Sequence, residues 1–295
     1  MGFLDALHGK TLVFDGPMGT TLLSRGYAPP LEPLVLTAPD AVLEVHRAHL
    51  AAGARVLRTH SFGANAGRFP EATAAARIPE WNRRAAALAR RAAESATGAF
   101  VAGSIGPLGA DVREHGRARE LFRVPVRALA ESGVDALIFE TMTTLGPLRA
   151  ALEASEDLGL PRLALMSFSP AGLGAAGESP EGAARALADW GADAVGVNCG
   201  DGPASLLRVA ARMCAAVAVP VVAIPSAGLP GDGGARPGRG TGGASPRYPV
   251  RPEDFAAFAA GARAAGVAAV GGCCGAEPEH IRALVTPWRT GRSSV

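Results

Sequence analysis

The chain has 295 residues, of which 48% are hydrophobic and 19% charged, a composition that supports a large buried core and excludes a chain disordered throughout. A net charge of +2, from 29 basic and 27 acidic residues, gives no electrostatic footprint for nucleic acid. No apolar run reaches the roughly 18 residues a membrane span needs, and the opening MGFLDALHGK has no basic segment leading into an apolar one, so a cytoplasmic protein without a membrane partner is expected.

Short apolar runs of β character recur along the chain, each followed by an amphipathic stretch rich in Ala and Arg. In order they are Leu12–Gly16, Ala54–Ser61, Ala99–Gly106, Ala136–Met142, Arg162–Ser169, Ala194–Gly200, Pro220–Gly228 and Val267–Gly275. Their openings are almost continuously apolar, as strands covered on both faces of a parallel sheet must be. Strands alternating with helices make the chain α/β. Eight such units are the count of a single (β/α)8 TIM barrel, which needs about 250 residues, and the whole chain, 1–295, is read as one such domain. The alternative, a doubly wound sheet, would carry a phosphate-binding turn after its first strand. Here that turn reads DGPMGT, and Pro17 breaks the fingerprint. Arg83, Arg84, Arg90 and Arg91 fall on one helical stretch and read as a solvated face. Gly228–Gly243, rich in glycine and proline, reads as a mobile loop after the seventh strand, either a lid or an insertion.

The polar residues gather at the ends of the strands: Asp15, Thr59-His60-Ser61, Ser104, Glu140-Thr141, Ser167, Asn198-Cys199, Ser226 and Cys273-Cys274. In a parallel barrel those ends share one face, and that face carries the active site. Three of the four cysteines are among them. Cys273 and Cys274 are adjacent, and neighbouring side chains on a strand point to opposite faces, so both reach one metal only if the backbone bends. Gly271, Gly272 and Gly275 offer that freedom. A vicinal disulfide is the competing reading, disfavoured by its strain and by a reducing compartment. With Cys199 two strands away, the set reads as three thiolates and one open position, the pattern of a catalytic rather than a closed structural zinc site. Cys214, on a helical stretch, reads as a small core residue.

At this point the motifs resemble a known family. DGPMGT at 15–20, GSIGPLG at 103–109, ET at 140–141, GVNCG at 196–200 and GGCCG…PEHI from 271 to 281 are similar in order and spacing to the homocysteine S-methyltransferases. They resemble the homocysteine-binding module of cobalamin- and folate-linked methionine synthases and of reductase-fused bacterial homologues. The resemblance spans about Leu12 to Ile281. It implies Cys199, Cys273 and Cys274 as zinc ligands, Asp15 and Glu140 as holders of the substrate's amino group, Gly16 and Pro17 as backbone meeting its carboxylate, and Asn198 as support for a ligand. Two strand ends depart from the family's wording, which runs Thr-Asn-Thr-Phe and Pro-Asn-Ala-Gly. Here Thr59 is followed by His60, and Ser226 replaces the asparagine; these residues are counted with the substrate-binding set.

The implied activity is methylation of homocysteine, held as a zinc-bound thiolate, to methionine. The donor is left open among methylcobalamin on a separate partner protein, methyltetrahydrofolate, S-methylmethionine and S-adenosylmethionine. Betaine is disfavoured by the few aromatic residues available for a cage. A zinc hydrolase is the first alternative, though no HExxH motif is present. A non-catalytic thiol- or zinc-binding module is the second.

Overall fold

Strands β1 (Leu12–Val13), β2 (Val56–Arg58), β3 (Phe100–Ile105), β4 (Ala136–Met142), β5 (Arg162–Met166), β6 (Ala194–Cys199), β7 (Val221–Pro225) and β8 (Ala269–Val270) form one parallel sheet in the order β1-β8-β7-β6-β5-β4-β3-β2. The bridge between Phe14 and Val56 joins β1 to β2 and closes the barrel. Each observed strand lies inside one of the eight expected runs. The computed structural model describes residues 2–9, 12–109, 112, 114–231 and 247–290. Most of the glycine-rich segment, 232–243, therefore lies outside the described residues.

The strands sort their side chains by alternation. Leu12, Phe14, Val56, Ala102, Ala136, Ile138, Leu163, Leu165, Ala194, Val222 and Ile224 fill the bore. The intervening Val13, Leu57, Val101, Leu137, Phe139, Ala164, Val195, Val221 and Ala223 pack outward against the helices. The short helix Phe3–His8 joins the bore cluster, with Phe3 edge-on to Phe100 at 5.5 Å between centroids. At the other end the same cluster reaches Cys273, with Cys199 and Cys274 packed against it. Cys214 ends the helix Pro203–Cys214 and packs on the outer core.

The helix Ile78–Ala93 shows how the Ala- and Arg-rich stretches work. Ala85, Ala86, Leu88, Ala89 and Ala92 face inward and Arg83, Arg84 and Arg91 face solvent, the spacing of an amphipathic helix. Arg90 is half-buried and donates to Asp135 and to the Gly133 carbonyl at 2.8 Å. Among the described residues no helix is long and apolar enough to cross a membrane.

The helix Pro39–Ala51 carries two fully buried histidines, His46 and His49. Their four ring nitrogens have no hydrogen-bond partner among the described residues. Burial lowers both to about 3, so both are neutral in the folded protein at ordinary pH and regain their usual basicity on unfolding. The unfolded chain then binds more protons, and stability is lost as pH falls from about 6.5 towards 3. Urea denaturation across that range is expected to show a steeper acid loss for the wild type than for a His46→Leu, His49→Leu double variant. The expected difference is up to about 1.4 kcal/mol per pH unit for each histidine; parallel curves would contradict it.

Candidate metal and acceptor site

Two carboxylates and one guanidinium lie at the upper end of the bore. Arg58, the last residue of β2, is in phase with Val56 and therefore points inward. Its Nε donates to Asp15 at 2.9 Å and its Nη1 to Glu140 at 2.8 Å. Its Nη2 donates to the carbonyls of Asp15, Gly16 and Gly272 at 3.1, 3.2 and 2.6 Å. All three charged side chains are buried. Asp15 also accepts the backbone N–H of Arg58 at 2.9 Å, and Glu140 accepts the Ser104 hydroxyl at 2.6 Å. Burial raises Asp15 to about 6, and the attraction of Arg58 offsets part of that rise. The guanidinium is held above its ordinary value by Glu140 and Asp15 together, against the cost of its own burial. Arg58 thus joins the ends of β1, β2 and β4 to the turn that carries the adjacent cysteines.

Above this network the sulfurs of Cys199, Cys273 and Cys274 lie within 4.8 Å of one another. All four cysteines of the chain are unbridged, so the vicinal pair is a dithiol. Cys199 owes its position to an unusual backbone. Alternation along β6 turns Asn198 into the bore and would turn Cys199 towards the helices. At φ 68° Cys199 is left-handed, followed by Gly200 at φ 74°, and this turn brings its sulfur over the rim. Non-glycine residues rarely adopt that conformation, and they do so mostly where function over-determines the structure. Thr141, at the end of β4, is the other non-glycine residue described with positive φ, at 63°.

Asn198 holds both turns. Its Oδ1 accepts the Thr141 N–H and its Nδ2 donates to the Thr141 hydroxyl, each at 2.7 Å. The same Nδ2 lies 3.9 Å from the Cys273 sulfur. The Ser226 hydroxyl donates to Cys199 at 3.4 Å. Beyond the last strand the Cys273 N–H pairs with the Pro225 carbonyl at 2.7 Å, and the Cys274 carbonyl accepts from Ala227 at 2.9 Å. The three glycines do different work. Gly275 alone of them has positive φ, 76°, and the Tyr248 ring lies where its Cβ would be. At Gly271 and Gly272 a Cβ would come within 2.6 Å of Phe14 and Ala276, so close packing, not a special φ, demands glycine there.

Hydrogen bonding within the cluster favours the thiolate at Cys199 over the other two. Hydrogen bonds from Cys273 and Cys274 pull Cys199 far below its usual value, and the same bonds push those two above theirs. A cation held among the three sulfurs would favour ionisation of the other two. The donor set fits a thiophilic one: three sulfurs round a tetrahedral zinc at about 2.3 Å stand about 3.8 Å apart, and those present are already within 4.8 Å.

The structure brings Asp15, Glu140, Asn198 and Ser226 to the sulfurs or to the bore directly beneath them. Gly16 lies there as well, pressed so closely by His49 that a Cβ would meet its ring at 2.4 Å. Thr59 and His60 are turned to other work. The Thr59 hydroxyl is taken by the Ser104 N–H at 2.9 Å and the Ser61 hydroxyl at 2.6 Å. The His60 Nε2 donates to the Leu31 carbonyl at 2.8 Å. Arg58 is the residue of this network that the sequence did not single out. The period-two phase of β2 was the available signal for Arg58.

A parallel barrel whose strand ends gather three thiols within 4.8 Å of one another, a set able to hold a metal ion, belongs to the class of α/β barrels with a thiol-rich C-terminal face. A family model described as homocysteine S-methyltransferase matches residues 12–286, and the chain belongs to that family. It is 31% identical to a methionine synthase of Mycobacterium tuberculosis over 95% of this chain but only 25% of that protein, so it spans about a quarter of that relative's length. It is 32% identical to the S-methylmethionine–homocysteine S-methyltransferase BHMT2 of Rattus norvegicus, over 94% of this chain and 78% of that one. The metallated form of the Escherichia coli homocysteine methyltransferase MmuM shares the fold, with a TM-score of 0.76, 23% identity, and coverage of 93% and 96% of the two chains.

Groups that orient metal ligands from behind are typically worth about 10- to 100-fold in metal affinity. Asn198→Ala, which leaves the partly buried Thr141 N–H and hydroxyl without their partner, is expected to weaken cobalt(II) binding to the folded protein by about that factor in a chelator competition, and to lower stability by about 1–3 kcal/mol. An unchanged affinity would show that the rim holds the sulfurs without it.

Proposed function

We propose that this protein is a zinc-dependent S-methyltransferase acting in the cytoplasm, which ionises the thiol of homocysteine and receives a methyl group on it to give methionine. The observation that carries the reading is the convergence of Cys199, Cys273 and Cys274 at the C-terminal face of the barrel, where barrel enzymes keep their chemistry. Family membership supports the acceptor, and a reducing compartment would keep the three thiols available.

Zinc bound by these thiolates would supply a fourth position at which an acceptor thiol loses its proton near neutral pH. The protein's part is placement. Cys199, Cys273 and Cys274 would give an electron-rich ligand set, so the acceptor sulfur stays nucleophilic. Asn198 and Ser226 would hold the sulfurs in position from behind. The bore beneath, packed with Ile138, Leu165 and Ile224, excludes water from that side. The acceptor sulfur would attack the donor's methyl carbon in line: the new S–CH3 bond forms as the donor–CH3 bond breaks, and the electron pair leaves with the donor. Holding the two reactants aligned is worth several powers of ten in rate. The donor is a cobalamin- or folate-linked methyl carrier, S-methylmethionine or S-adenosylmethionine. The rat relative named for S-methylmethionine, matched over most of its length, supports including a small-molecule donor.

The test is a donor panel. Zinc-loaded protein with homocysteine is offered S-methylmethionine, S-adenosylmethionine, methyltetrahydrofolate and protein-bound methylcobalamin, and methionine is measured. One donor is expected to give methionine, and Cys199→Ala, Cys273→Ala and Cys274→Ala are each expected to lose zinc and at least about 1000-fold of the rate, since the nucleophile is then no longer ionised. A zinc-loaded wild type that binds homocysteine and yields methionine from none of these would overturn the activity.

A further inference from the structure

The ion-paired floor of the site bears on which acceptor the site selects. An α-ammonium is best held between carboxylates that no other cation already bridges. Asp15 and Glu140 are the buried carboxylates of the bore, and both are already paired with a guanidinium at 2.9 and 2.8 Å. Arg58 does not swing aside easily. It is 8% exposed, and three backbone carbonyls hold its Nη2 in addition to the two carboxylates. One of these carbonyls belongs to Gly272, the residue before Cys273, so the fixed positive charge stands immediately beside the sulfur cluster.

Resting on the thiol-methylating reading above, we infer that Arg58 is a specificity-determining residue that takes the place of the acceptor's ammonium group, so that the site selects its thiol by carboxylate and makes little use of an α-amino group. Two like charges held side by side in a site this dry repel strongly, and an incoming ammonium would find the position between the two carboxylates already occupied by Arg58. A carboxylate meets the opposite situation. Nε, both protons of Nη2 and one of Nη1 are engaged by protein acceptors, and a guanidinium has five N–H donors. The remaining Nη1 proton is the one a ligand carboxylate would accept. The acceptor class is therefore a ω-mercapto carboxylic acid of homocysteine's length, with or without the amine.

The experiment is equilibrium binding, read without turnover. Cobalt(II)-loaded wild type is titrated with homocysteine, with 4-mercaptobutanoate, which lacks the amine, and with 3-mercaptopropylamine, which lacks the carboxylate. Binding is followed by the thiolate-to-cobalt absorption band. A buried charge-assisted pair is worth about tenfold or more in affinity, which sets the threshold. Expected are 4-mercaptobutanoate within about tenfold of homocysteine, and 3-mercaptopropylamine weaker than homocysteine by more than that. If 4-mercaptobutanoate is weaker by more than about tenfold, the role of Arg58 is overturned while the thiol-binding reading stands. If none of the three thiols alters the band, both fall. Arg58→Leu frees Asp15 and Glu140 and is expected to raise the preference for homocysteine over 4-mercaptobutanoate by about tenfold or more; a folded variant with an unchanged ratio overturns the inference. Should that variant not fold, the wild-type ratio decides alone.

Discussion

The ion triad of Asp15, Arg58 and Glu140 is the interaction on which the face of this barrel depends. Two carboxylates and a guanidinium are buried together, and removing any one leaves uncompensated charge, at a cost of about 3–5 kcal/mol for a buried pair. The triad is also a mechanical joint. Arg58 reaches the carbonyls of Asp15, Gly16 and Gly272, so one side chain ties the first, second and fourth strands to the turn before Cys273. The sulfur cluster is therefore built on a floor whose geometry is set by charge pairing, and a cation above it would complete a site in which almost every charge has a fixed partner.

The rim is held by a different device. Alternation along β6 cannot deliver both Asn198 and Cys199 to the bore side, and the adjacent cysteines beyond β8 would face the same difficulty if the strand ran on through them. The protein resolves the first with a left-handed residue at Cys199 and the second with the turn through Gly275. A left-handed non-glycine residue costs about 1–3 kcal/mol. Two of them, Thr141 on β4 and Cys199 on β6, are linked through Asn198, which precedes Cys199 and hydrogen-bonds Thr141. Strain at the Thr141 turn is thus offset by one amide that makes two short hydrogen bonds to it, and the residue that carries the amide leads directly into the Cys199 turn.

Much of this architecture was legible in the sequence. Eight apolar runs were visible because strands covered on both faces must be continuously apolar, and the cysteines stood out because ordinary loops have no use for three of them at strand ends. What escaped notice did so for identifiable reasons. Arg58 sits among apolar residues in VLR, and a single arginine reads as a strand's exit to solvent until the strand's phase is worked out from Val56. The resemblance implies Asp15 and Glu140 as holders of the substrate's amino group; that both also pair with Arg58, 43 residues from one and 82 from the other, is reported by no local pattern over that distance. Thr59 and His60 lie on the functional face in sequence, yet their polar atoms are used by Ser104 and by the Leu31 carbonyl, a choice made by tertiary packing. Two of the glycines around Cys273 are explained by steric closeness, which composition cannot tell from conformational need.

The division between floor and rim explains why the methyl donor is the least legible part of the system. On the proposed reading, the acceptor's sulfur would be held at the rim while its carboxylate reaches towards Arg58 and the Gly16 turn below. The bore beneath is filled by Phe14, Ile138, Leu165 and Ile224, so no second substrate can come from that side. In-line displacement places the donor's leaving group on the far side of the methyl carbon from the sulfur, and the donor must then approach from the open end of the barrel. Its recognition falls to the loops after the strands, which answer to no hydrophobic periodicity and vary most freely. A common floor and rim can therefore serve different donors, since the residues that ionise and orient the acceptor are not those that would meet the donor.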